Sequence, residues 1–159
     1  MKHKILIPVY NDWKSLNKLL TEIDKCLKDE NNFQTEILVI NDNSSEVCFI
    51  NNQDLTTIKK IEVLTIKKNL GSQKCIAIGL NYIKETGEDF LITVMDADGE
   101  DSPKELNKML RTAYENRDFV ITSNRKKRKE AFHIRFCYKV YVVISFLFAF
   151  KWISFGNFS

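Results

Sequence analysis

The alternation of hydrophobic and polar positions along the chain predicts short strands separated by helices. Apolar runs rich in β-branched residues predict five strands, at 4–10, 35–40, 61–66, 89–95 and 118–123. Hydrophobic residues at helical spacing predict helices from about 11 to 28, from about 72 to 86 and onward from Pro103, with a shorter helix near 46–53. This order is typical of an α/β fold, in which a doubly wound, mostly parallel sheet carries helices on both faces.

Polar loops follow the carboxyl end of every predicted strand. Their sequences are PVYND, NDNSSE, KKNLGSQK, DADGED and SNRKKRK. The carboxyl ends of parallel strands meet at one edge of a sheet, and open α/β sheets bind ligands at that edge. Asn11 or Asp12 suits the cap of the first helix, and Pro103 suits the first turn of the last helix. A ligand site is therefore expected at this edge.

The acidic stretch DADGED follows an apolar strand and is the strongest candidate for chemistry. An EF-hand calcium loop is excluded, because Asp101 and Asn107 occupy its Gly and Glu positions when counted from Asp96. A phosphatase-type DxDG motif fits poorly, since that motif usually closes the first strand of its fold. Asp96 and Asp98 are two residues apart, so on an extended backbone both face the same way. Two interpretations stay open: an Mg²⁺ or Mn²⁺ site for a phosphorylated ligand, or a solvated acidic turn that caps the next helix.

Composition and charge indicate an ordinary globular domain. The 159 residues suffice for one domain with a core, and 44% of them are hydrophobic and 28% charged. Four scattered cysteines without CxxC spacing are expected to be reduced, mostly buried thiols of a cytosolic protein. Pro8 and Asn11 interrupt the short apolar run at the amino terminus, which is unlike a signal peptide. The basic excess is concentrated in one run at 125–129, so nucleic-acid binding is not expected.

Five segments in order resemble the successive motifs of family 2 glycosyltransferases of the GT-A fold. The segments are PVYND, VINDNSSE, NLGSQKCIAIGL, VMDADGEDSPKEL and FGNFS. The branch they resemble contains dolichol-phosphate mannosyltransferase and bactoprenol-phosphate glucosyltransferase, and the similarity runs from Ile5 to the last residue. The resemblance implies a Rossmann-like domain that binds a nucleotide-diphosphate sugar.

The resemblance also implies a role for individual residues. Asp96 and Asp98 match the DxD motif, which holds the cation, Mg²⁺ or Mn²⁺, and the diphosphate of the donor. Asp42 matches the second acid of the family's usual DDGS, which approaches the nucleobase. The residues expected to surround the nucleoside are Pro8, Tyr10 and Asp12 of the first loop, and those expected to border the nucleotide are Asn69, Gly71 and Lys74.

The chain departs from the family pattern at three places. Asn41 stands where the family has the first Asp of DDGS, and Asn43 stands where it has Gly. Because Asn tolerates a left-handed turn conformation, the second replacement is expected to be mild. The residues GED after Asp98 replace the LQH of the mannosyltransferase branch, which leaves the identities of donor and acceptor open.

The chemistry of sugar transfer agrees with the resemblance. Family members invert the anomeric centre by direct displacement, and a cation offsets the charge on the departing nucleotide diphosphate. A sugar hydroxyl would need a general base, whereas a lipid phosphate is already ionised near neutral pH. No catalytic base is assigned, since Glu100 and Asp101 fit a helix start better and His3 and His133 have no partner at ligand spacing.

The expected function is therefore a metal-dependent, inverting glycosyltransferase that acts on a lipid-linked (polyprenyl phosphate) or related glycan acceptor. Two alternatives come from other classes. One is a catalytically incomplete module that only binds a nucleotide sugar. The other is an Mg²⁺-dependent phosphatase or phosphoacceptor domain.

A basic run and an aromatic segment follow the predicted nucleotide-binding domain of residues 1–125. The apolar stretch 140–150 would form a helix of roughly 17 Å, too short for a hydrocarbon core of about 30 Å. It fits either a buried core helix or an interfacial helix behind a polybasic run, and the resemblance favours the second. Residues 126–159 are thus expected to form an incomplete acceptor region, with 125–155 touching the cytoplasmic face of a membrane. In the family FGNFS lies mid-domain, so more chain is expected to follow it.

Overall fold

A computed structural model describes residues 1–28, 32–98, 103–116 and 118–122 of the chain. The strands are β1 (Lys2–Val9), β2 (Gln34–Asn41), β3 (Lys60–Thr65) and β4 (Leu91–Val94). The helices are α1 (Trp13–Leu27), α2 (Ser72–Glu85) and α3 (Leu106–Glu115), and a 3₁₀ turn over Pro103–Glu105 leads directly into α3. The predicted basic run, aromatic segment and acceptor region at 126–159 lie outside the described residues, as do Glu100 and Asp101.

The four strands form one parallel sheet in the order β3-β2-β1-β4. In the register of the central strands, Ile5 of β1 lies between Ile37 of β2 and Thr93 of β4. The chain moves outward from β1 to β3 and then crosses back to place β4 on the other side of β1. Such a reversal creates a crevice between β1 and β4 at the carboxyl edge, where open α/β sheets bind ligands. The predicted α/β class is confirmed.

Two separate cores cover the two faces of the sheet. Alternate residues of β1 divide between them: Ile5 and Ile7 pack with α1 and α3, whereas Leu6 packs with α2. The residues of α1 that the helical spacing placed inward are buried, namely Trp13, Leu16, Leu19, Leu20, Ile23 and Leu27. On the other face α2 approaches closely at Gly79, where an added Cβ would overlap the Leu6 side chain. Helices on both faces follow from this division.

The predicted start of α1 is found, whereas the last α-helix begins at Leu106, three residues after Pro103. The Asp12 carboxylate accepts a hydrogen bond from the Ser15 amide at 3.1 Å and caps α1. Pro103 begins the turn that precedes α3. Of the cysteines in the described residues, Cys75 is buried, Cys26 partly buried and Cys48 exposed, so the expectation of mostly buried thiols was too broad.

The predicted helix at 46–53 is wrong, because this segment is irregular. Two of its backbone groups bond instead to one side chain of α1: the Asn17 side-chain nitrogen donates to the Phe49 carbonyl, and the Asn17 side-chain oxygen accepts from the Asn51 backbone amide. A helix of two turns is costly to nucleate and has little to offset that cost. Val47 and Phe49 are exposed, so no apolar face holds the segment as a helix.

The predicted fifth strand is also wrong over residues 118–122, which form a turn and irregular chain. Phe119 and Val120 supplied the β-like composition, yet both are exposed, at 71% and 83%. The Phe119 amide donates to the Asn116 carbonyl in a local turn. A strand needs a neighbour to pair with, and composition alone does not provide one.

Candidate functional site

A cavity of about 280 Å³ opens at the carboxyl edge of the sheet, beside the ends of β1 and β4. Its lining consists of Pro8, Val9, Tyr10, Asp12, Asp42, Ser72, Asp96, Ala97 and Asp98. Six of the nine residues singled out from the sequence are in this lining, and Asn69, Gly71 and Lys74 are not. Ser72 lies in the NLGSQK segment but was not singled out from the sequence, and it lines the cavity where α2 begins.

Asp96 and Asp98 reach the same cavity by a route that differs from the expected one. The strand ends at Val94, and residues 97–98 form a turn, so the alternation of an extended strand does not set their direction. Asp96 is half-buried and Asp98 is exposed. Both residues nevertheless line the cavity.

The donor set fits a hard divalent cation shared with a ligand. Within the described residues no group of three or more His, Cys, Asp or Glu side chains could hold a metal on its own. Two carboxylates, Asp96 and Asp98, line one cavity. Mg²⁺ commonly binds through one or two carboxylates, with phosphate oxygens and water as its other ligands. These residues therefore suit a cation that arrives with a diphosphate.

The buried Asp42 carboxylate holds the loop in front of α2. Its two oxygens accept hydrogen bonds from the backbone amides of Leu70, at 2.7 Å, and Gly71, at 2.8 Å. Gly71 has a φ of +84°, a conformation that favours glycine. Sequence reasoning assigned Asp42 to the nucleobase and missed this clamp, because the partners are 28 and 29 residues away. A carboxylate has about four lone-pair sites, so capacity for a ligand remains.

Cys75 lies beside Asp42, and its thiol is unreactive at neutral pH. Burial, together with a hydrogen bond to the Asp42 carboxylate and the negative charge of that group, raises the pKa of the Cys75 thiol to about 12. The thiol therefore stays protonated at neutral pH. Since the thiolate is the reactive form, Cys75 is not a nucleophile of this site.

The two asparagines of the loop after β2 have structural explanations. The side-chain nitrogen of Asn41 donates to the Thr65 hydroxyl at 3.2 Å, and its side-chain oxygen accepts from the Ser44 backbone amide at 2.9 Å. An amide makes both bonds without placing a second buried charge next to Asp42. Asn43 has a φ of +58°, which confirms that asparagine accommodates the left-handed turn at the glycine position.

The remaining candidates are more exposed. The Tyr10 side chain is 54% exposed at the cavity, which leaves its ring accessible to a flat ligand. Asn69 and Lys74 are exposed near the start of α2. No helix within the described ranges is long and apolar enough to cross a membrane.

The chain matches one known family over nearly all its length. The family described as Glycosyl transferase family 2 matches residues 4–157. The resemblance read from the five motifs is thereby confirmed.

Two curated relatives belong to the branch indicated by the motifs. The undecaprenyl-phosphate 4-deoxy-4-formamido-L-arabinose transferase of Proteus mirabilis is 31% identical over 134 residues, which is 82% of this chain and 39% of the relative. The dolichol-phosphate mannosyltransferase of Pyrococcus furiosus is 29% identical over 123 residues, which is 77% of this chain and 33% of the relative. The chain thus spans between a third and two fifths of these relatives.

Solved structures show the same fold. A crystal structure of S. aureus TarS residues 1–349 in complex with UDP-GlcNAc superposes with a TM-score of 0.52, over 82% of this chain and 37% of that one. The identity is 18%, so the similarity concerns the fold alone. It supports the GT-A type of α/β domain expected from the motifs.

Proposed function

The chain belongs to glycosyl transferase family 2, and on that premise we propose that it transfers a sugar from a nucleotide-diphosphate donor to a polyprenyl-phosphate acceptor. The observation that carries the proposal is the cavity at the carboxyl edge, where Asp96 and Asp98 meet Asp42 and Tyr10. Its acids suit a cation-bound diphosphate, and its exposed ring and buried carboxylate suit a nucleoside. The combination matches the donor half of the reaction.

Asp96 and Asp98 would hold the divalent cation, Mg²⁺ or Mn²⁺, that the family resemblance implies. Such a cation offsets the negative charge that grows on the diphosphate as the sugar departs. The protein's own residues bind and orient the donor: Tyr10 and Asp12 flank the nucleoside end, and Asp42 fixes the loop before α2. Orientation of this kind lowers the barrier without a proton transfer.

The acceptor is assigned from chemistry and from relatives. The two relatives described above are named for undecaprenyl phosphate and dolichol phosphate. A lipid phosphate is ionised near neutral pH and can displace the nucleotide directly, with inversion and without a general base. Nucleotide-diphosphate sugars are cytosolic metabolites, so the proposed reaction takes place at the cytoplasmic face of a membrane. Contact with that membrane through residues 125–155 is part of the proposal.

Calorimetric titration separates the proposed function from its alternatives. We expect UDP or GDP, and the matching nucleotide sugar, to bind in the presence of Mn²⁺ and to bind more weakly when EDTA replaces the metal. Release of the nucleotide from its sugar in the presence of a short-chain polyprenyl phosphate would establish turnover. Binding without turnover would instead identify a nucleotide-sugar-binding module, and hydrolysis of a simple phosphate monoester would identify a phosphatase.

The Asp42 carboxylate gives a second prediction. Asp42→Ala removes the acceptor of two backbone amides and a contact to the nucleobase. We expect the affinities for the nucleoside and the nucleoside diphosphate to fall together, with or without metal, by about tenfold, the loss expected for a hydrogen bond to a charged group. Calorimetry with both ligands, each with Mn²⁺ or EDTA, measures the effect.

Asp24→Ala is the matched control for this variant. The Asp24 carboxylate is also buried and accepts hydrogen bonds from the backbone amides of Thr56, Thr57 and Ile58, but it is not part of the cavity lining. Its loss should lower stability while leaving nucleotide affinity unchanged. If Asp42→Ala weakens only the metal-bound diphosphate, the assignment of Asp42 to the base is wrong.

A further inference from the structure

Asn11 lies between the cavity residues Tyr10 and Asp12 and bonds to a different loop. Its side-chain oxygen accepts hydrogen bonds from the backbone amides of Ser45, at 2.8 Å, and Glu46, at 3.1 Å. The Ser45 hydroxyl donates to the same oxygen at 3.3 Å. The Asn11 backbone amide also donates to the Ser44 hydroxyl at 3.0 Å. Four bonds therefore join the loop after β1 to the loop after β2.

The backbone of Asn11 is in the left-handed region, with a φ of +51°. Asparagine is among the few residues besides glycine that adopt this conformation routinely. The turn separates the end of β1 from the cap of α1 at Asp12. The position thus requires a residue that tolerates positive φ and also carries a short side-chain acceptor.

Most of the loop that Asn11 holds is exposed to solvent. Asn43 and residues 45–49 are exposed, and Ser44 is half-buried. An exposed segment with few buried apolar contacts opens locally at small cost unless polar bonds restrain it. The Ser44 backbone amide also donates to the side-chain oxygen of Asn41, the residue before Asp42. The clamp at Asn11 therefore restrains the chain immediately after the buried acid of the cavity.

We propose that Asn11 is a positioning residue for the donor nucleotide: it fixes the loop after β2 against the loop after β1 and so keeps the cavity preformed. Asn11 does not line the cavity and acts through its neighbours. This role rests on the proposed function, since it requires a nucleotide in the cavity. When only a fraction of the molecules has the binding arrangement, the apparent dissociation constant rises by the inverse of that fraction.

Three variants test the role. Asn11→Gly keeps the freedom to adopt positive φ and loses the acceptor, whereas Asn11→Asp keeps the acceptor. Asn17→Ala is the matched control, because Asn17 also ties α1 to the loop after β2, but at Phe49 and Asn51. Calorimetry uses whichever of UDP or GDP binds the wild type, at saturating Mn²⁺. Amide hydrogen exchange at Ser45 and Glu46 is followed without nucleotide.

We expect Asn11→Gly to bind the nucleotide about tenfold more weakly and its Ser45 and Glu46 amides to exchange faster. Asn11→Asp should restore affinity close to that of the wild type. Asn17→Ala should lose thermal stability and keep its affinity.

Wild-type affinity in Asn11→Gly overturns the positioning role while leaving the proposed function intact. An equal loss of affinity in Asn17→Ala also overturns it, because the effect would then be general destabilisation. A wild-type protein that binds neither UDP nor GDP overturns the proposed function and the role of Asn11 with it.

Discussion

Asp96→Asn and Asp98→Asn are each expected to weaken nucleoside-diphosphate binding in saturating Mn²⁺, by about tenfold or more. Loss of a residue that only supports a metal ligand costs about 10–100-fold in affinity or activity, and loss of a ligand should cost at least as much. Asn keeps the size of Asp and removes the charge. In EDTA the variants should bind the nucleotide at least as tightly as the wild type, because without the cation the carboxylates only repel the diphosphate.

Asp89→Asn provides the matched control for the acid pair. Asp89 is exposed and precedes the amino end of β4, whereas Asp96 follows its carboxyl end. The same change of charge is thus made at the opposite end of one strand. Affinity should be unchanged in Asp89→Asn. If all three variants bind the nucleotide as the wild type does at saturating Mn²⁺, the metal site lies elsewhere.

Folding stability is expected to fall steeply in mild acid because of His3. This side chain is fully buried in the sheet, with its ring nitrogens each 3.0 Å from a hydroxyl, Nδ1 from Thr35 and Nε2 from Thr93. Burial penalises the charged imidazolium and lowers the His3 pKa to about 3. In the unfolded chain the pKa is near its ordinary value of about 6.5.

The direction in which the free energy of unfolding changes with pH follows from proton binding. Below pH 6.5 the unfolded state binds a proton that the native state does not, so the free energy of unfolding falls as the pH falls. The slope approaches about 1.4 kcal/mol per pH unit, and it ends when the native state also titrates, near pH 3. Other groups add to the acid response of the whole protein, so the contribution of His3 has to be isolated by substitution.

The substitution His3→Gln isolates the contribution of His3 to the pH dependence of stability. A glutamine amide can donate and accept like a neutral imidazole, but it does not titrate. We expect the variant to be less stable than the wild type at pH 8 and the difference to shrink as the pH is lowered to 4. Urea unfolding at four pH values measures both free energies. Parallel pH profiles for the two proteins would show that His3 is not the buried neutral group.

Local pattern was sufficient for the long, periodic elements. The spacing of apolar residues predicted α1 and its buried face, and the apolar runs predicted β1 to β4. The arrival of Asp42 and Asp96 at one edge follows from the same pattern, because loops after parallel strands share an edge. The pattern failed at 46–53, where it predicted a helix, and at 118–122, where it predicted a strand. Neither segment has the packing or pairing partner that would offset the conformational entropy lost on ordering.

The sequence by itself determined the fold class, the family and the edge at which the acids lie. The tertiary structure decided the strand order that opens the crevice between β1 and β4, and the position of Asp96 and Asp98 in the lining of one cavity. It also revealed the clamps at Asn11 and Asp42, whose backbone partners are 28 to 35 residues away. Hydrophobic periodicity records which face of an element is buried. A single side chain that bonds a distant backbone amide leaves no period, so only the folded chain shows it.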